Sequence, residues 1–430
     1  MIEKQIFTSE LLGESYTYIK HRSGLPIYVF PKKMTALHAL FAVDFGSVDT
    51  WLDKQGAERL PDGVAHFLEH KLFANEDGSD SFERFSALGA DANAYTSHTR
   101  TVYLFTATDR FGESLAELID FVTHPYFTEE SVAREQGIIG EEIRMCRDNP
   151  YDRCYYNMLD GLYQEHPVQT EICGSVRSIA QITPETLYRA YNTFYRLSNM
   201  ALVVCGDMTV DEVLAVADAH LPQAEVPAEI PRVCVIEPQT VCKNRIEAYG
   251  QVAKPIFCIG VKERTVPEDA LERAKRDAAL TILCEMLFSP SGDLYCELFE
   301  SGIISPEFSA DYALTRGFGF LQIGGEADDP DLVLEKIRAY IAKMQANGLS
   351  KEDFERARRV EFAEYIKGFD STEEIANTLL AFVFDDADLF AYADIVNEIT
   401  FSDVTALLHE FFAGDCFTLS IVWPQGERSE

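Results

Sequence analysis

The amino-acid sequence predicts an α+β protein built as two similarly folded domains of strands and helices, and three observations carry that expectation. A chain of 430 residues, 47% of them apolar, exceeds what one hydrophobic core usually supports and has material for two. Between positions 222 and 238, Pro222, Pro227, Pro231 and Pro238 occur without a hydrophobic period, which reads as an interdomain linker dividing the chain into 1–228 and 229–430. The order strand 317–324, helix 330–347, Ser350 cap, helix 351–368 repeats an earlier one: strand 101–106, helix 112–122, Thr128 cap, helix 129–147. Such a repeat speaks to architecture and not to chemistry.

Apolar runs at 25–30 and 39–45 read as strands, the second closed by a turn at Gly46-Ser47. A polar loop over 50–61 follows. Asp62 is expected to cap a helix over 63–73, its carboxylate accepting from the first free backbone amides. Residues 82–88 read as a short helix stopping at Gly89, 101–106 alternates as a strand does, and 112–122 has the period of an amphipathic helix. Thr128, with Glu129 and Glu130 in the next turn, caps a long helix that ends before Asp148-Asn149-Pro150. After an irregular stretch at 161–174, Thr183 caps a helix to about 195, 200–205 is an apolar strand closed by Gly206-Asp207, and 211–221 is helical. In the second half Ser350-Lys351-Glu352-Asp353-Phe354 mirrors Thr128-Glu129-Glu130-Ser131-Val132.

The balance of 37 Lys plus Arg against 71 Asp plus Glu gives a net charge of -34, which repels nucleic-acid phosphates and anionic membrane surfaces, so neither is an expected partner. An excess of acids is more simply a solvated surface than a field that gathers basic peptides. Residues 1–9 carry Glu3 and Lys4 and lack the apolar run of a signal peptide, and no stretch approaches the ~18 apolar residues that span a bilayer. Ten cysteines are scattered without a CxxC pair and read as buried thiols, which fits a reducing cytoplasm.

Chemistry enters at His66-Phe67-Leu68-Glu69-His70. Two imidazoles four residues apart stand one above the other on a helix face, a spacing that lets both nitrogens share one zinc at ~2.0–2.1 Å. Glu69, three residues after His66, lies close to that face and offset from the ligand line. H-x-x-E-H is the inverse of the commoner H-E-x-x-H zinc-protease pattern. A catalytic zinc needs a third protein ligand, and the helix after Thr128 offers Glu135 and Glu142, seven residues apart on one face. Seven residues span about 10 Å, too far for both to bind one ion, so one ligates and the other supports. Ile138, Ile139 and Ile143 are expected to bury this helix and leave Glu142 at the edge of a core, where a carboxylate needs a cation. Exposed acids on an amphipathic helix are the plain alternative.

The segments 63–70 (Gly-Val-Ala-His-Phe-Leu-Glu-His), Asn93-Ala94-Tyr95-Thr96-Ser97 with Thr101-Val102-Tyr103, and Glu135 with Glu142 resemble the M16 metallopeptidases, the group of insulysin, pitrilysin and mitochondrial processing peptidase. His70-Lys71-Leu72-Phe73 and Gly137-Ile138-Ile139-Gly140 look closest to the bacterial YmfH-like branch of that family, small proteins of about this length. The resemblance implies that His66, His70 and Glu142 bind zinc, that Glu69 is the general base and Glu135 a supporting catalytic acid, with Glu141 the competitor for the third ligand. It implies LuxS/MPP-like α+β domains, each a mostly antiparallel sheet packed with helices, the first bearing the zinc site and the second none. It also implies a zinc endopeptidase acting on short, unfolded or precursor peptides in a clamshell chamber, with Asn93, Ala94, Tyr95 and Thr96 at the sheet edge where substrate adds as a strand.

The second half departs from the family pattern. Where active M16 systems offer an Arg and a Tyr in a segment like L-R-E-x-G-L-A-Y, this chain has Phe299 and Ser305, with Tyr295 nearby. The departure points to the zinc-bearing half of a heterodimer whose related M16 subunit supplies those groups. A non-catalytic binding or assembly subunit, or an accessory factor in peptide maturation, is the competing reading.

Overall fold

The apolar runs and alternations become strands, and their pairing yields two sheets in the computed structural model, which describes residues 3–222 and 229–426. The first sheet holds β1 (Glu3–Ser9), β2 (Glu14–Lys20), β3 (Pro26–Pro31), β4 (Leu37–Val43), β5 (Asp91–Thr96), β6 (Thr101–Ala107) and β7 (Met200–Gly206), in the order β1-β2-β3-β7-β4-β6-β5. The second holds β8 (Arg245–Gly250), β9 (Ile256–Lys262), β10 (Ser309–Thr315), β11 (Phe318–Glu326) and β12 (Phe417–Pro424), in the order β10-β11-β9-β12-β8. Neighbours are antiparallel except β3 with β7 and β8 with β12. From the parallel pair outward, β3-β7-β4-β6-β5 and β8-β12-β9-β11-β10 share one order, so the repeat seen in the helix caps extends to the sheets. The hairpin β1–β2 is the first half's addition. Of the expected linker, residues 223–228 lie outside the described residues, and with them the expected boundary at 228/229; residues 229–238 run without helix or strand.

β4 is buried at every residue after Leu37, because both faces of the first sheet are covered. On one face Ala39, Phe41 and Val43 pack with helices Val64–Leu72, Phe111–Thr123 and Pro184–Phe194 of the same half. On the other, Leu40 and Ala42 meet Ile375, Ala376, Leu379 and Leu380 of helix Thr372–Phe384, which belongs to the second half. The trade is reciprocal. Helix Pro150–Leu162 of the first half lays Cys154, Met158, Leu159 and Leu162 on Ile256, Cys258, Phe320 and Val422 of the second sheet. Gly260 permits that approach: a Cβ there would stand 2.7 Å from Met158 Cγ.

The exchanged helix Pro150–Leu162 was not anticipated, because Asn149-Pro150 reads as a stop. The same two residues also start a helix: the Asn149 side chain accepts from the Tyr151 amide and Pro150 occupies the first turn, where no amide proton is missed. Asp62 does not cap the helix it precedes. Its carboxylate accepts from Arg59, and Val64–Leu72 begins instead at Gly63, left-handed at φ 92 with no side-chain cap. The caps at Thr128, Thr183 and Ser350 form as expected. All ten cysteines are free, but Cys234, Cys242 and Cys296 are exposed and Cys146 is half-buried, which corrects the expectation of buried thiols: the exposed three lie between β7 and β8 or on the outer face of helix Asp293–Glu300.

Candidate metal centre

Two helices build the site. Val64–Leu72 buries Val64, Ala65, Phe67, Leu68, Lys71 and Leu72, which turns His66, Glu69 and His70 toward its opposite side. Its start is fixed by Gly63, whose Cβ, had it one, would press on the Cys173 carbonyl. Across from it, Glu129–Asp148 buries Val132, Glu135, Ile139, Gly140 and Ile143 along one face. Ile138 is 51% exposed, contrary to expectation, since one residue along a helix rotates it about 100° from Ile139 and off that face.

Glu142 comes between the imidazoles. Its Oε1 lies 3.4 Å from His66 Nε2 and its Oε2 3.4 Å from His70 Nε2, and the ligand atoms of the three residues lie within 4.8 Å of one another. A separation of 3.4 Å is long for a hydrogen bond, and it is close to the ~3.3 Å edge of a tetrahedron of N and O ligands drawn around zinc at ~2.0–2.1 Å. His66 Nδ1 is buried without a partner, so nothing else among the described residues fastens that ring by its nitrogens. By the spacing of its Nε2 and carboxylate atoms the donor set fits zinc. Glu141 points away, exposed and paired with Arg144 at 2.5 Å.

Glu135 is one step removed: its Oε1 lies 3.2 Å from His70 Nδ1 and its Oε2 3.6 Å from the ammonium of Lys71, a lysine 1% exposed. The carboxylates make the neighbourhood a demand for positive charge. Burial opposes protonation of His70, but hydrogen bonding to Glu135 and Glu142 and the charge of Glu69 outweigh it and push its pKa up to about 9. The imidazoles in turn hold the Glu142 carboxyl well below the usual range, and His70 with Lys71 keeps Glu135 low against its own burial.

Glu69 is anchored by β5. Thr96 Oγ1 donates to Glu69 Oε2 at 2.6 Å. β5 alternates as a strand must: Ala94 and Thr96 face the first core and the motif helix, while Tyr95 turns to the other face and donates to Asn377 of the exchanged helix Thr372–Phe384. The Asn93 side chain accepts from the Ala94 amide. β5 closes the sheet order, pairing with β6 on one side only among the described residues.

The profile of Insulinase (Peptidase family M16) matches residues 57–175, and that of the Peptidase M16 inactive domain matches 181–361. An uncharacterized zinc protease, YmfH of Bacillus subtilis, is 38% identical over 423 residues, covering 97% of this chain and 98% of that one. The chain belongs to the M16 peptidase family. Among solved structures, one described as an M16-like peptidase from Alicyclobacillus acidocaldarius matches with a TM-score of 0.90 at 32% identity over 98% of both chains. The periplasmic protease PqqL of Escherichia coli shares the fold at 18% identity and a TM-score of 0.70; the match takes in 93% of this chain and 46% of PqqL. The two-domain M16 architecture with mostly antiparallel sheets is therefore as the sequence predicts.

Within this M16 chain, Phe299 is exposed and stacks on Tyr295 at 5.7 Å, and Tyr295 also packs edge-on against Phe308. The Ser305 hydroxyl is buried, and the Glu307 carboxylate is its polar neighbour. Sequence reasoning missed two contacts, that of Lys71 with Glu135 and that of Thr96 with Glu69. A signal existed for the burial of Lys71 but not for its partner: Lys71 sits seven residues after Val64, on the stripe of Val64, Phe67 and Leu68, so its burial follows from helical spacing.

Proposed function

We propose that this M16 chain is a zinc-dependent endopeptidase in which His66, His70 and Glu142 hold the metal, Glu69 is the general base and Glu135 supports His70. The observation behind the reading is the convergence of ligand atoms from His66, His70 and Glu142, on two helices, within 4.8 Å of one another, with a Glu142 oxygen 3.4 Å from each imidazole Nε2. When bound, zinc polarises the scissile carbonyl and activates water for attack on it. Glu69 takes the proton of the attacking water; the Thr96 hydroxyl on Oε2 fixes the carboxylate and leaves Oε1 for that proton. Glu135, accepting from His70 Nδ1, selects the tautomer that presents Nε2 to the metal.

Substrate is an extended peptide that adds to the free edge of β5 along Asn93, Ala94, Tyr95 and Thr96, held mainly by backbone hydrogen bonds. That mode selects short, unfolded or precursor peptides over folded domains. The zinc site belongs to domain 1–228, and domain 229–430 carries no zinc motif. Phe299 and Ser305 in place of Arg and Tyr motivate a heterodimer in which a related M16 subunit brings those two groups. The PqqL chain, of which this one spans 46%, supports a working unit of two such lengths. Ten free cysteines motivate a cytoplasmic location.

Metal analysis and peptide hydrolysis, with and without the companion subunit, test the reading. About one zinc per chain, lost in His70→Ala, with hydrolysis that rises when the companion is added, is the expected result. A wild-type chain that takes up no zinc sinks the proposal, and full-rate hydrolysis by the pure chain removes its heterodimer part.

A further inference from the structure

Lys71 is an unusual lysine. It is 1% exposed and occupies a helix position otherwise given to core residues, between His70 and Leu72. A long cationic side chain is buried to this degree only where something compensates its charge, because an ammonium stripped of water loses hydration that only a close counter-charge replaces. The compensation is Glu135, whose Oε2 lies 3.6 Å from the ammonium. The other oxygen of the same carboxylate, Oε1, lies 3.2 Å from His70 Nδ1, and His70 Nε2 faces Glu142 at 3.4 Å. Lys71, Glu135 and His70 thus form one line ending at the ligand trio.

We infer that Lys71 is a positioning residue: its ammonium grips one oxygen of Glu135 so that the other stays on His70 Nδ1, and the His70 ring is thereby held with Nε2 toward the metal. The inference rests on the zinc reading above. Two facts support it. Neighbouring side chains on the motif helix approach the same carboxylate from both sides, so Glu135 is clamped between Lys71 and His70 and cannot turn from one without losing the other. Charge points the same way. Glu69, Glu135 and Glu142 bring three negative charges to two neutral imidazole ligands; a divalent cation offsets two of them, and Lys71 offsets the third. The next charges around Lys71, Arg134 and Asp80, are of opposite sign. A cluster of this burial approaches neutrality only with both the metal and the lysine present.

The test is a double-mutant cycle on zinc affinity, measured by competition with a chromophoric chelator on the full chain: wild type, Lys71→Met, Glu135→Gln and the double variant. Loss of a partner behind a metal-ligating histidine typically weakens metal binding about 10- to 100-fold. The expected result is roughly tenfold weaker zinc binding in each single variant and no further weakening in the double variant over Glu135→Gln alone. Lys71→Met with zinc affinity within about twofold of wild type, or a double variant in which the two losses multiply, overturns the inference. Circular dichroism checks each fold. Should Lys71→Met not fold, Lys71→Gln, of similar reach but neutral, takes its place with the same expected and overturning results. A wild-type chain that binds no zinc fails the parent reading instead, an outcome separate from wild-type binding that is indifferent to Lys71.

Discussion

At the scale of single residues, the bond from Thr96 to Glu69 separates two jobs that are hard to tell apart at a metal centre. Glu69→Gln keeps all three ligands and loses the base, so zinc content is expected to hold while peptide hydrolysis falls about 10²- to 10⁴-fold. Thr96→Val removes only the 2.6 Å anchor, and a loss of about tenfold in kcat with unchanged zinc is the expected result. Loss of zinc in either variant would contradict the assigned roles. Away from the centre, His38 and His166 are buried, and burial lowers each pKa to about 4. In the unfolded chain each returns to about 6.5. Their folded pKa values are depressed, so the stability tied to keeping them neutral is complete above about pH 6.5 and is lost as pH falls toward 4. Replacing His38 or His166 with Gln should therefore shrink the loss of stability between pH 7 and 5.5, relative to wild type, by an amount equivalent to about 1 kcal/mol, and a pH profile parallel to that of wild type would refute the assignment. That His66 and His70 share one side of their helix was legible in sequence, because four residues along a helix decide a face. Thr96 on Glu69 and Lys71 on Glu135 were not, since each joins elements whose approach only the tertiary fold sets.

At the scale of elements, glycine makes a graded test. Gly63 combines φ 92 with a Cβ position against the Cys173 carbonyl, and Gly89, at the end of helix Ser81–Leu88, combines φ 75 with open space. Gly89→Ala therefore meets backbone strain alone, about 1 kcal/mol, and zinc content should not change. Gly63→Ala meets strain and overlap together, roughly 2–5 kcal/mol, and because Gly63 starts the helix of His66 and His70, zinc uptake should fall along with the thermal midpoint. Equal effects from the two substitutions would show that the approach to Cys173 is soft. Boundaries of the elements were legible wherever a cap side chain or a clear period marked them, as at Thr128, Thr183 and Pro330. Helix Pro150–Leu162 was hidden because its opening residues carry a stop signal for the helix before it. Asp62 was misread because its neighbour Arg59 claims the carboxylate that would have capped.

At the scale of the whole molecule, two lengths of similar order were legible from the repeat, but their interlacing was not, since nothing local in 150–162 or 372–384 says which sheet it will cover. Removing either half strips one face of the other's sheet: Leu40, Ala42, Val203 and Phe30 would lose Leu379, Leu380 and Ile375. Arg316, in the turn between β10 and β11, further ties the halves through Asp44 at 2.7 and 2.8 Å. Calorimetry should accordingly show one cooperative unfolding transition, and fragments 1–222 and 229–430 should fail to fold when produced apart and recover when produced together. Two resolved transitions would mean that the swapped helices contribute little. The interlacing also constrains traffic. Under the heterodimer proposal, a molecule whose two lobes each wear an arm of the other would admit a peptide by parting from its companion and not by bending along its own midline, and turnover would then become a matter of how long two molecules stay apart.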